Sequence, residues 1–403
     1  MKSPLRRLGI YNDGPFALLD VNNQPRIAAD PADFPFLTFA CAVGSNFEST
    51  VVLGRSGRAP AMDDTILLPP GIALVDLPPY DRLLRLGQVM RATPGTLRAF
   101  WRALSMVDVV WAFGPHPFVF LLVVLAVLRR RRVVLGVRQD TVAYFRARLP
   151  NSRWRPAMLA VHVWNLGFRM LARVLRATVV GNEIARAYGG ERDTLLVMTV
   201  SLVREEDVIV NPPDRDWNHA IELLTVGRIE QEKNPLLLVE ALAALNRECP
   251  GRYRLTWIGT GPLEDALIRR ARELGISDQI ELGGFVPFGP ALLECYRRAH
   301  VFVHVSLTEG VPAVLIEALA SATPVVATAV GGVAAALDGG NAGVLVPPSD
   351  LDALVSALLS IVDDAQQRER LVKRGIELAH QCTLDSQAAR VARFIQGVGD
   401  PCA

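Results

Sequence analysis

Short runs of β-branched residues alternate with helical stretches along the chain, and this alternation limits the fold more than any other feature. In the first half the runs are TVVLGR (50–55), DVVWAFG (108–114) and RVVLGVRQD (132–140). In the second half they are IELLTVGR (221–228), YRLTWIG (253–259), DQIELGG (278–284), HVFVHVSL (300–307) and TPVVATAV (323–330). Such alternation is typical of parallel sheets covered by helices. The sequence therefore predicts an α/β protein with two doubly wound, Rossmann-like domains in tandem.

The charged, proline-rich stretch REEDVIVNPPDRDW separates the two series, and we interpret residues 204–218 as a linker. The first domain is then predicted at 1–203 and the second at 219–382. Residues 383–403 are predicted to contain a last helix that packs back on the first domain. A chain of 403 residues with 50% apolar content is long enough for each domain to bury its own core.

Several classes of protein are disfavoured by composition. The five cysteines are scattered and lack CxxC spacing, which favours a reducing, cytoplasmic location. The first ten residues, MKSPLRRLGI, lack the apolar core of a signal peptide. The longest apolar run, FVFLLVVLAVL (118–128), is much shorter than the roughly 20 residues that span a bilayer. We predict a buried helix there.

Charge is distributed unevenly along the chain. The first 200 residues hold 25 basic and 14 acidic side chains, whereas the remainder holds 18 and 27. This asymmetry suggests that the first half meets an anionic partner, either a phosphorylated acceptor or the inner face of a membrane, for example through RRRR (129–132). The alternative is electrostatic attraction between the two domains. The arginines are dispersed without aromatic residues to stack on bases, which disfavours nucleic acid.

Ligands of doubly wound sheets bind beyond the carboxyl ends of the strands, so the loops there are the candidate sites. The first is VGRIEQEKNP, where Gly227 ends a strand and Arg228 and Lys233 precede a helix. Such a cationic pair can hold a diphosphate, and Lys233 is one of only three lysines in the chain. A solvated turn is the alternative interpretation.

Glycines mark two further loops. Gly259 and Gly261 in WIGTGPLED would let the backbone come close to a ligand, although a simple turn explains them as well. Gly331 and Gly332 follow another strand, and their N–H groups could face an anion, with a plain connecting turn as the alternative.

The strongest candidate is VHVSLTEGVPAVLIEALA. Glu309 and Gly310 form the turn after a strand, and Pro312 suits the first position of a helix. Glu317 then falls within an apolar helix, where a buried carboxylate needs a partner such as ligand hydroxyls. The alternative is that Glu317 lies on the solvent-facing side of that helix.

Taken together, residues 221–380 resemble the retaining GT-B glycosyltransferases of family 4. The motifs that carry the resemblance are GR followed by Lys, G-x-GP, EG-x-P with a second glutamate eight positions after the first, PVVAT followed by GG, and G-x-LVPP. The resemblance implies two Rossmann-like domains facing across a cleft. It also implies transfer of a hexose from a nucleotide diphosphate sugar to a glycan, lipid-linked or small-molecule acceptor, as in polysaccharide biosynthesis. Neither metal nor cofactor is then needed.

The resemblance also implies roles for particular residues. Arg228 and Lys233, beside Gly227, would hold the diphosphate, and Glu317 would bind the ribose hydroxyls. The transferred sugar would be oriented by Glu309 together with the backbone of Gly310 and Val311. The remaining donor contacts fall on the turn residue Gly261 and on Phe285 and Val286, which would receive the base.

The first half departs from the family pattern, since IYNDGPF (10–16) stands where a GG-containing loop is usual and VRQD (137–140) where a histidine is common. Candidates for catalysis on the acceptor side are His116, Arg138 and Asp140. Each has a structural alternative, such as capping of a helix by His116 or an ion pair of Asp140 with an arginine. In the second half, Ser321–Ala322 and Ala335 replace a usual glycine and glutamate.

Three other functions stay open on the sequence alone. Asp214 and Asp216 form a DxD pattern, which a metal-dependent transferase would use to hold a divalent ion. A GT-B-fold epimerase or phosphorylase could share the same architecture. A non-catalytic protein that only binds nucleotide sugars is the third possibility.

Overall fold

The computed structural model describes residues 5–21, 24–29, 34–57, 65–81, 83, 85–138, 142, 155–190 and 192–397. The chain divides into two compact units. The first comprises Met1–Val200 with Gln387–Ala403, and the second comprises Ser201–Ser386.

The first unit is built on one sheet with helices between its strands. The strands are β1 Arg7–Val21, β2 Gln24–Ala29, β3 Ser49–Ser56, β4 Thr65–Leu67, β5 Ile72–Leu77, β6 Val109–Gly114, β7 Arg132–Val137, β8 Arg176–Val180 and β9 Leu195–Met198. The helices are α1 Phe34–Gly44, α2 Leu86–Met106, α3 Pro117–Leu128, α4 Arg155–Val174 and α5 Asn182–Ala187. The parallel strands follow the order β5-β3-β1-β6-β7-β8-β9, so this sheet is doubly wound about β1 and β6.

Strand β1 contains IYNDGPF, the segment that stands where the family has a GG-containing loop. Those residues lie inside β1, whose register against β3 shifts between Tyr11 and Pro15. Beyond the shift, β1 pairs with β2 in antiparallel fashion, and β2 pairs with β4 in the same way. Strand pairing therefore continues on both sides of the register shift.

The second unit holds a wholly parallel sheet. Its strands are β10 Ile221–Val226, β11 Tyr253–Ile258, β12 Ile280–Gly284, β13 Val301–His304, β14 Val325–Thr328 and β15 Val344–Val346. The helices are α6 Pro235–Glu248, α7 Glu264–Glu273, α8 Pro290–Arg298, α9 Ala313–Ala320, α10 Val333–Ala336, α11 Leu351–Asp363, α12 Ala365–Gln381 and α13 Leu384–Gln396, the last of which continues into the first unit. The order β12-β11-β10-β13-β14-β15 reverses direction between β10 and β13. This reversal is the switch point at which doubly wound sheets bind ligands.

Both faces of the second sheet are buried. Successive strand residues point to opposite sides and therefore pack in different cores. Leu223 packs in one core with Trp257, whereas Leu224 packs in the other with Phe302. Helices on both faces therefore fix the strand ends, and with them the loops of the switch point.

Two segments outside the sheets are anchored by side chains. Nη1 of Arg215, in the stretch predicted as a linker, donates to the carbonyl oxygen of Ala322 at 3.0 Å, within the second unit. The later part of α13 packs in the first unit, where Nη1 of Arg390 donates to Val197 O at 3.0 Å. None of the helices within the described ranges combines the length and apolarity needed to cross a bilayer.

Helix α3 corrects one prediction. It was expected to be a buried helix, and one side of it is indeed buried through Val119, Leu122 and Ala126. Its other side is open to solvent, and Val127 is 65% exposed. Hydrophobic periodicity does not distinguish the buried side from the exposed one here, because every residue of this helix is apolar.

Candidate functional site

Two loops meet at the switch point of the second sheet. The loop after β10 turns at Gly227 and forms a short 3-10 turn, Gln231–Lys233. Asn234 then takes a left-handed conformation with φ of 47°, and Pro235 opens α6, so the chain reverses sharply just after Lys233. The loop after β13 carries Glu309 and leads into α9. Lys233 and Glu309 are thus placed on neighbouring strand ends.

The carboxylate of Glu309 is the centre of a polar cluster. Its Oε1 accepts hydrogen bonds from Oγ of Ser306 at 2.7 Å and from Nε2 of His304 at 3.0 Å, and it forms an ion pair with Nζ of Lys233. The side chain is only 11% exposed. Three donors on one oxygen hold the carboxylate at the carboxyl end of β13.

These contacts also set the charge of Glu309. Burial alone would raise its pKa, but the hydrogen bond from His304 and the charge of Lys233 outweigh burial and lower the pKa to about 2. Glu309 is therefore fully ionised at neutral pH. A fixed negative charge at a strand end suits a site that positions hydroxyl groups or stabilises developing positive charge.

Arg228 does not join this cluster. Its Nη2 lies 2.7 Å from Oε1 of Glu230, and 75% of its side chain is exposed. Gly227 lies against Lys233, since a Cβ at this glycine would be 3.6 Å from the lysine Cε. The predicted cationic pair is therefore split: Lys233 is fixed by Glu309, whereas Arg228 extends into solvent.

The glycines of the predicted loops bring backbone segments together. A Cβ at Gly259 would collide with Gly227 O, and one at Gly261 with Ile229 O. The N–H of Gly261 donates to Oε1 of Glu264 at 2.7 Å. These two glycines therefore allow the loops after β10 and β11 to pack directly against each other.

Gly331 and Gly332 do the same for the loop that carries Glu309. A Cβ at Gly331, whose φ is +53°, would collide with Glu309 O, and the N–H of Gly332 donates to Gly310 O at 2.9 Å. The expectation that the N–H of Gly332 faces an anion is therefore wrong. The physical reason for two glycines here is the close approach of the loops after β13 and β14.

We expect Gly331→Ala to displace the Glu309 loop and to lower the melting temperature. Gly339→Ala is the matched control, because Gly339 has a similar φ of +64° and nothing within 4 Å of its Cβ position. Left-handed strain of about 1–2 kcal/mol is common to both variants. Calorimetry should show the larger loss for Gly331→Ala, and equal losses would contradict this role.

Glu317 is buried, so the alternative that placed it on a solvent-facing side is wrong. It lies in α9 with 7% exposure, and Oη of Tyr296 in α8 donates to its Oε2 at 2.8 Å. Burial raises the pKa of Glu317 to about 7, although the bond from Tyr296 acts in the opposite direction. A carboxyl group poised near neutrality gains from additional hydroxyl donors.

The remaining predicted donor residues lie on two loops. Gly310 is exposed and Val311 half-buried, next to Pro312, which precedes the first residue of α9. Phe285, just after β12, is largely exposed, whereas Val286 packs partly against the core. An exposed aromatic ring at a strand end is available to stack on a planar ligand.

His116 lies at the switch point of the first sheet, between β1 and β6. Its Nδ1 accepts from the N–H of Phe118 at 3.3 Å, so it caps α3 as the structural alternative proposed. Its Nε2 lies 3.2 Å from Asp13 and 3.1 Å from Oη of Tyr80. Burial would raise the pKa of Asp13, but His116 and Arg55 hold it below its ordinary value. His116 is thus enclosed in a buried polar network.

Of the other acceptor-side candidates, Arg138 follows β7 and its guanidinium lies over the ring of Phe36, with Cζ 3.9 Å from the centroid. Asp140 lies outside the described residues.

The sequence interpretation missed His304, Ser306 and Tyr296 in the second unit, and Asp13, Arg55 and Tyr80 in the first. For His304 a signal was present, because a histidine inside the apolar run VFVHV is unusual. Tyr296 in α8 had no such signal.

Asp214 and Asp216 lie at the opposite edge of the second sheet from Lys233. They line a surface cleft with His300, which immediately precedes β13, and with Arg297 and Arg298. Asp216 is bonded to Nδ1 of His219 at 2.5 Å. The amino ends of the strands are not where doubly wound sheets bind their ligands.

Two doubly wound sheets in one chain, with polar clusters at the carboxyl ends of the strands, define a Rossmann-like α/β protein of the GT-B kind. Solved structures support this class. Sucrose-phosphate synthase from Thermosynechococcus elongatus aligns with a TM-score of 0.64 and 17% identity, covering 97% of this chain and 98% of that one. Anabaena HepE, solved in complex with UDP, aligns with a TM-score of 0.65 and 16% identity, covering 98% and 100%. At such identities the likeness shows the fold.

Sequence similarity supports a glycosyltransferase class for the second unit. Residues 215–378 match the family model of glycosyl transferases group 1. D-inositol 3-phosphate glycosyltransferase from Nocardia farcinica is 39% identical over 164 residues, which are 38% of this chain and 35% of the relative. Glycogen synthase from Mycobacterium tuberculosis is 36% identical over 156 residues, 38% and 37% of the two chains. The match spans little more than a third of these relatives. The family-model match lies in the half that carries Lys233, Glu309 and Glu317.

Proposed function

We propose that this protein is a metal-independent, retaining hexosyltransferase of family 4, which takes its sugar from a nucleotide diphosphate donor. The observation that carries the proposal is the ion pair of Lys233 and Glu309 at the switch point of the second sheet. The buried carboxyl of Glu317 lies in α9, the helix that follows the Glu309 loop. A cation, a fixed carboxylate and a second carboxyl with spare hydrogen-bonding capacity match the three parts of such a donor: phosphates, sugar and ribose.

In this proposal Lys233 keeps its contact with Glu309 and directs its remaining protons to the diphosphate. The exposed Arg228 folds onto the same phosphates, Glu317 accepts the ribose hydroxyls, and the base lies near Phe285 and Val286. Glu309, with Gly310 and Val311, orients the sugar.

The reaction breaks the bond between C1 of the sugar and the diphosphate oxygen, and the electron pair stays on the leaving phosphate. The acceptor hydroxyl oxygen forms its bond to C1 on the same face, and its proton passes to the leaving phosphate. Lys233 and Arg228 stabilise the charge that develops there.

The acceptor is a glycan, a lipid-linked sugar or a small molecule, as in polysaccharide biosynthesis. We place it at the carboxyl edge of the first sheet, near His116, Arg138 and Asp140. The network around His116 supports a positioning role for this residue, since its ring nitrogens are already engaged by Phe118, Tyr80 and Asp13. The protein would act in the cytoplasm, as a peripheral protein on the inner face of the membrane.

Thermal stabilisation by nucleotide sugars tests the donor site. UDP-glucose heads the panel, because HepE was solved in complex with UDP-glucose, and the GDP and ADP sugars follow. A ligand at 100 times its dissociation constant adds about 2.7 kcal/mol to the free energy of unfolding, enough to raise the melting temperature by several degrees.

The same stabilisation, and the release of nucleoside diphosphate, should persist in EDTA. Loss of both in EDTA would instead favour a divalent ion held by Asp214 and Asp216. Absence of stabilisation by every nucleotide sugar would refute the proposed donor site.

A further inference from the structure

Helix α3 presents only apolar side chains to solvent. Its exposed positions are Leu121, Val124, Val127 and Leu128. A surface helix of a globular protein normally places charged or polar residues on its outer side. The inner side of α3 already packs on the sheet, so the outer side is a second apolar face without a partner in the described part of the chain.

Helix α4 continues this surface. Its exposed apolar residues are Leu159, Val163, Leu166, Met170 and Val174, of which Val174 is 83% exposed. Their spacing of three and four positions places them along one side of the helix. Between them the exposed residues are His162, Arg169 and Arg173, and α4 contains no acidic side chain.

Ring contacts show that the helices are neighbours. Phe120 of α3 and Phe168 of α4 lie with centroids 6.3 Å apart. Next to the end of α3, the guanidinium of Arg129 lies over Trp101 of α2, with Cζ 3.8 Å from the centroid. Trp101 is itself exposed, as is Met106 near the end of α2. The apolar residues of three helices therefore belong to one region, which we term the α2–α4 face.

The charged residues of the three helices and of the segment 129–132 all have one sign. Residues 86–106, 117–132 and 155–174 contain no Asp or Glu. The arginines there whose side chains the structure describes are Arg91, Arg98, Arg102, Arg129, Arg130, Arg131, Arg132, Arg169 and Arg173. Exposed apolar side chains interspersed with arginines are the combination that binds the interface of an anionic bilayer.

We propose that the α2–α4 face docks on anionic phospholipid, with Leu, Val and Met side chains entering the headgroup region and arginines binding the phosphates. This deepens the proposed peripheral location and names the surface responsible. The RRRR segment is less suited to act by itself. Arg131 donates to Leu104 O at 3.1 Å and lies 3.7 Å from Asp108, and Arg129 is held over Trp101.

A second copy of the chain is a poorer occupant on electrostatic grounds. A symmetric dimer through this face would set Arg169 and Arg173 against the same basic surface of the partner, with no acidic residue in these helices to compensate. An anionic lipid surface supplies the negative charge that a second copy of this face lacks.

Flotation of the full chain tests the proposal, using vesicles of phosphatidylcholine alone and of phosphatidylcholine with phosphatidylglycerol. We expect binding only to the anionic vesicles, weakened by salt. Since an arginine near such a surface contributes about fivefold in partitioning, Arg169→Gln with Arg173→Gln should lower it by about tenfold or more. Val163→Ser with Leu166→Ser should lower binding by about tenfold or more through lost apolar insertion.

The matched control carries Val210→Ser, Arg269→Gln and Arg272→Gln, which are exposed residues of the second unit, and it should float as the unmodified chain does. Unchanged flotation of both α2–α4 variants would overturn the proposal. So would absence of binding to anionic vesicles, or a dimer that the same variants dissociate. Stabilisation by nucleotide sugars should be equal in all variants, so failure of the docking surface is distinguishable from failure of the donor site.

Discussion

Replacing Glu309 by Gln is expected to lower sugar transfer about 100- to 1,000-fold while leaving nucleoside diphosphate affinity within about threefold, as loss of one preorganised charge at a reaction centre does. The variant keeps the shape of the side chain and removes the carboxylate that we propose orients the sugar. Release of nucleoside diphosphate from the most stabilising nucleotide sugar, with water as acceptor, measures transfer. Calorimetric titration with the free diphosphate measures affinity.

Lys233→Met should show the opposite division. Loss of the cation weakens diphosphate binding by about 10- to 100-fold, because charge-assisted hydrogen bonds contribute about 1.5–3 kcal/mol. It also leaves the Glu309 carboxylate without its ion-pair partner. If Glu309→Gln lowered affinity as much as Lys233→Met, the separate roles proposed for the two residues would be wrong.

The free energy of unfolding provides an independent check of the pair. Each single variant leaves one side chain without its ion-pair partner, so each is expected to lower the free energy of unfolding by about 2 kcal/mol. This loss is smaller than for fully buried pairs, because both side chains are partly exposed. The double variant should lose less than the sum.

Acid titration adds a further check on Glu309. Its pKa in the folded state, about 2, lies below the ordinary value of 4.5. Its contribution to stability is therefore complete above about pH 4.5 and is lost as the pH falls towards 2. Glu309→Gln should remove this part of the acid sensitivity.

Glu317 gives the second large effect, which depends on pH. Burial raises the pKa of Glu317 to about 7. In the protein without ligand, the contribution of this group to the free energy of unfolding is therefore complete below about pH 4.5 and is lost as the pH rises through 7. Ribose hydroxyls donate to the ionised form, so nucleoside binding should strengthen between pH 6 and 8. A change of about tenfold corresponds to one pKa unit.

Phosphate groups titrate in the same range, so Glu317→Gln is the necessary control. The ratio of affinities between the unmodified protein and Glu317→Gln isolates the carboxyl group, and it should rise with pH. A ratio independent of pH would contradict the assignment of Glu317 to the ribose. Tyr296→Phe provides a second perturbation, because it removes the hydrogen bond to Oε2 that lowers the pKa of Glu317, and the pH-dependent rise in affinity should therefore move to higher pH.

Much of this protein follows from its sequence. The alternation of β-branched runs with helices predicted the two doubly wound units, since strand and helix periods are local properties of the chain. Lys233 and Glu309 each lie in a loop that follows a predicted strand of the second series. These positions predicted that both residues would lie at the carboxyl edge of one sheet. Fixed connectivity rules bring such loops together without knowledge of side-chain contacts.

Tertiary structure alone decided what surrounds these residues. His304 and Ser306 bind Glu309 because β13 ends in a particular orientation, and Glu317 is buried because α8 covers its side of α9. An apolar helix such as α3 gives no periodic signal of which side packs, so its exposed face emerged only with the sheet in place. Pairing of β1 with β2 and β3 likewise decided that IYNDGPF lies within a strand. Local patterns therefore determined the elements and their order, and long-range packing determined which side chains are buried, charged or free to meet a ligand.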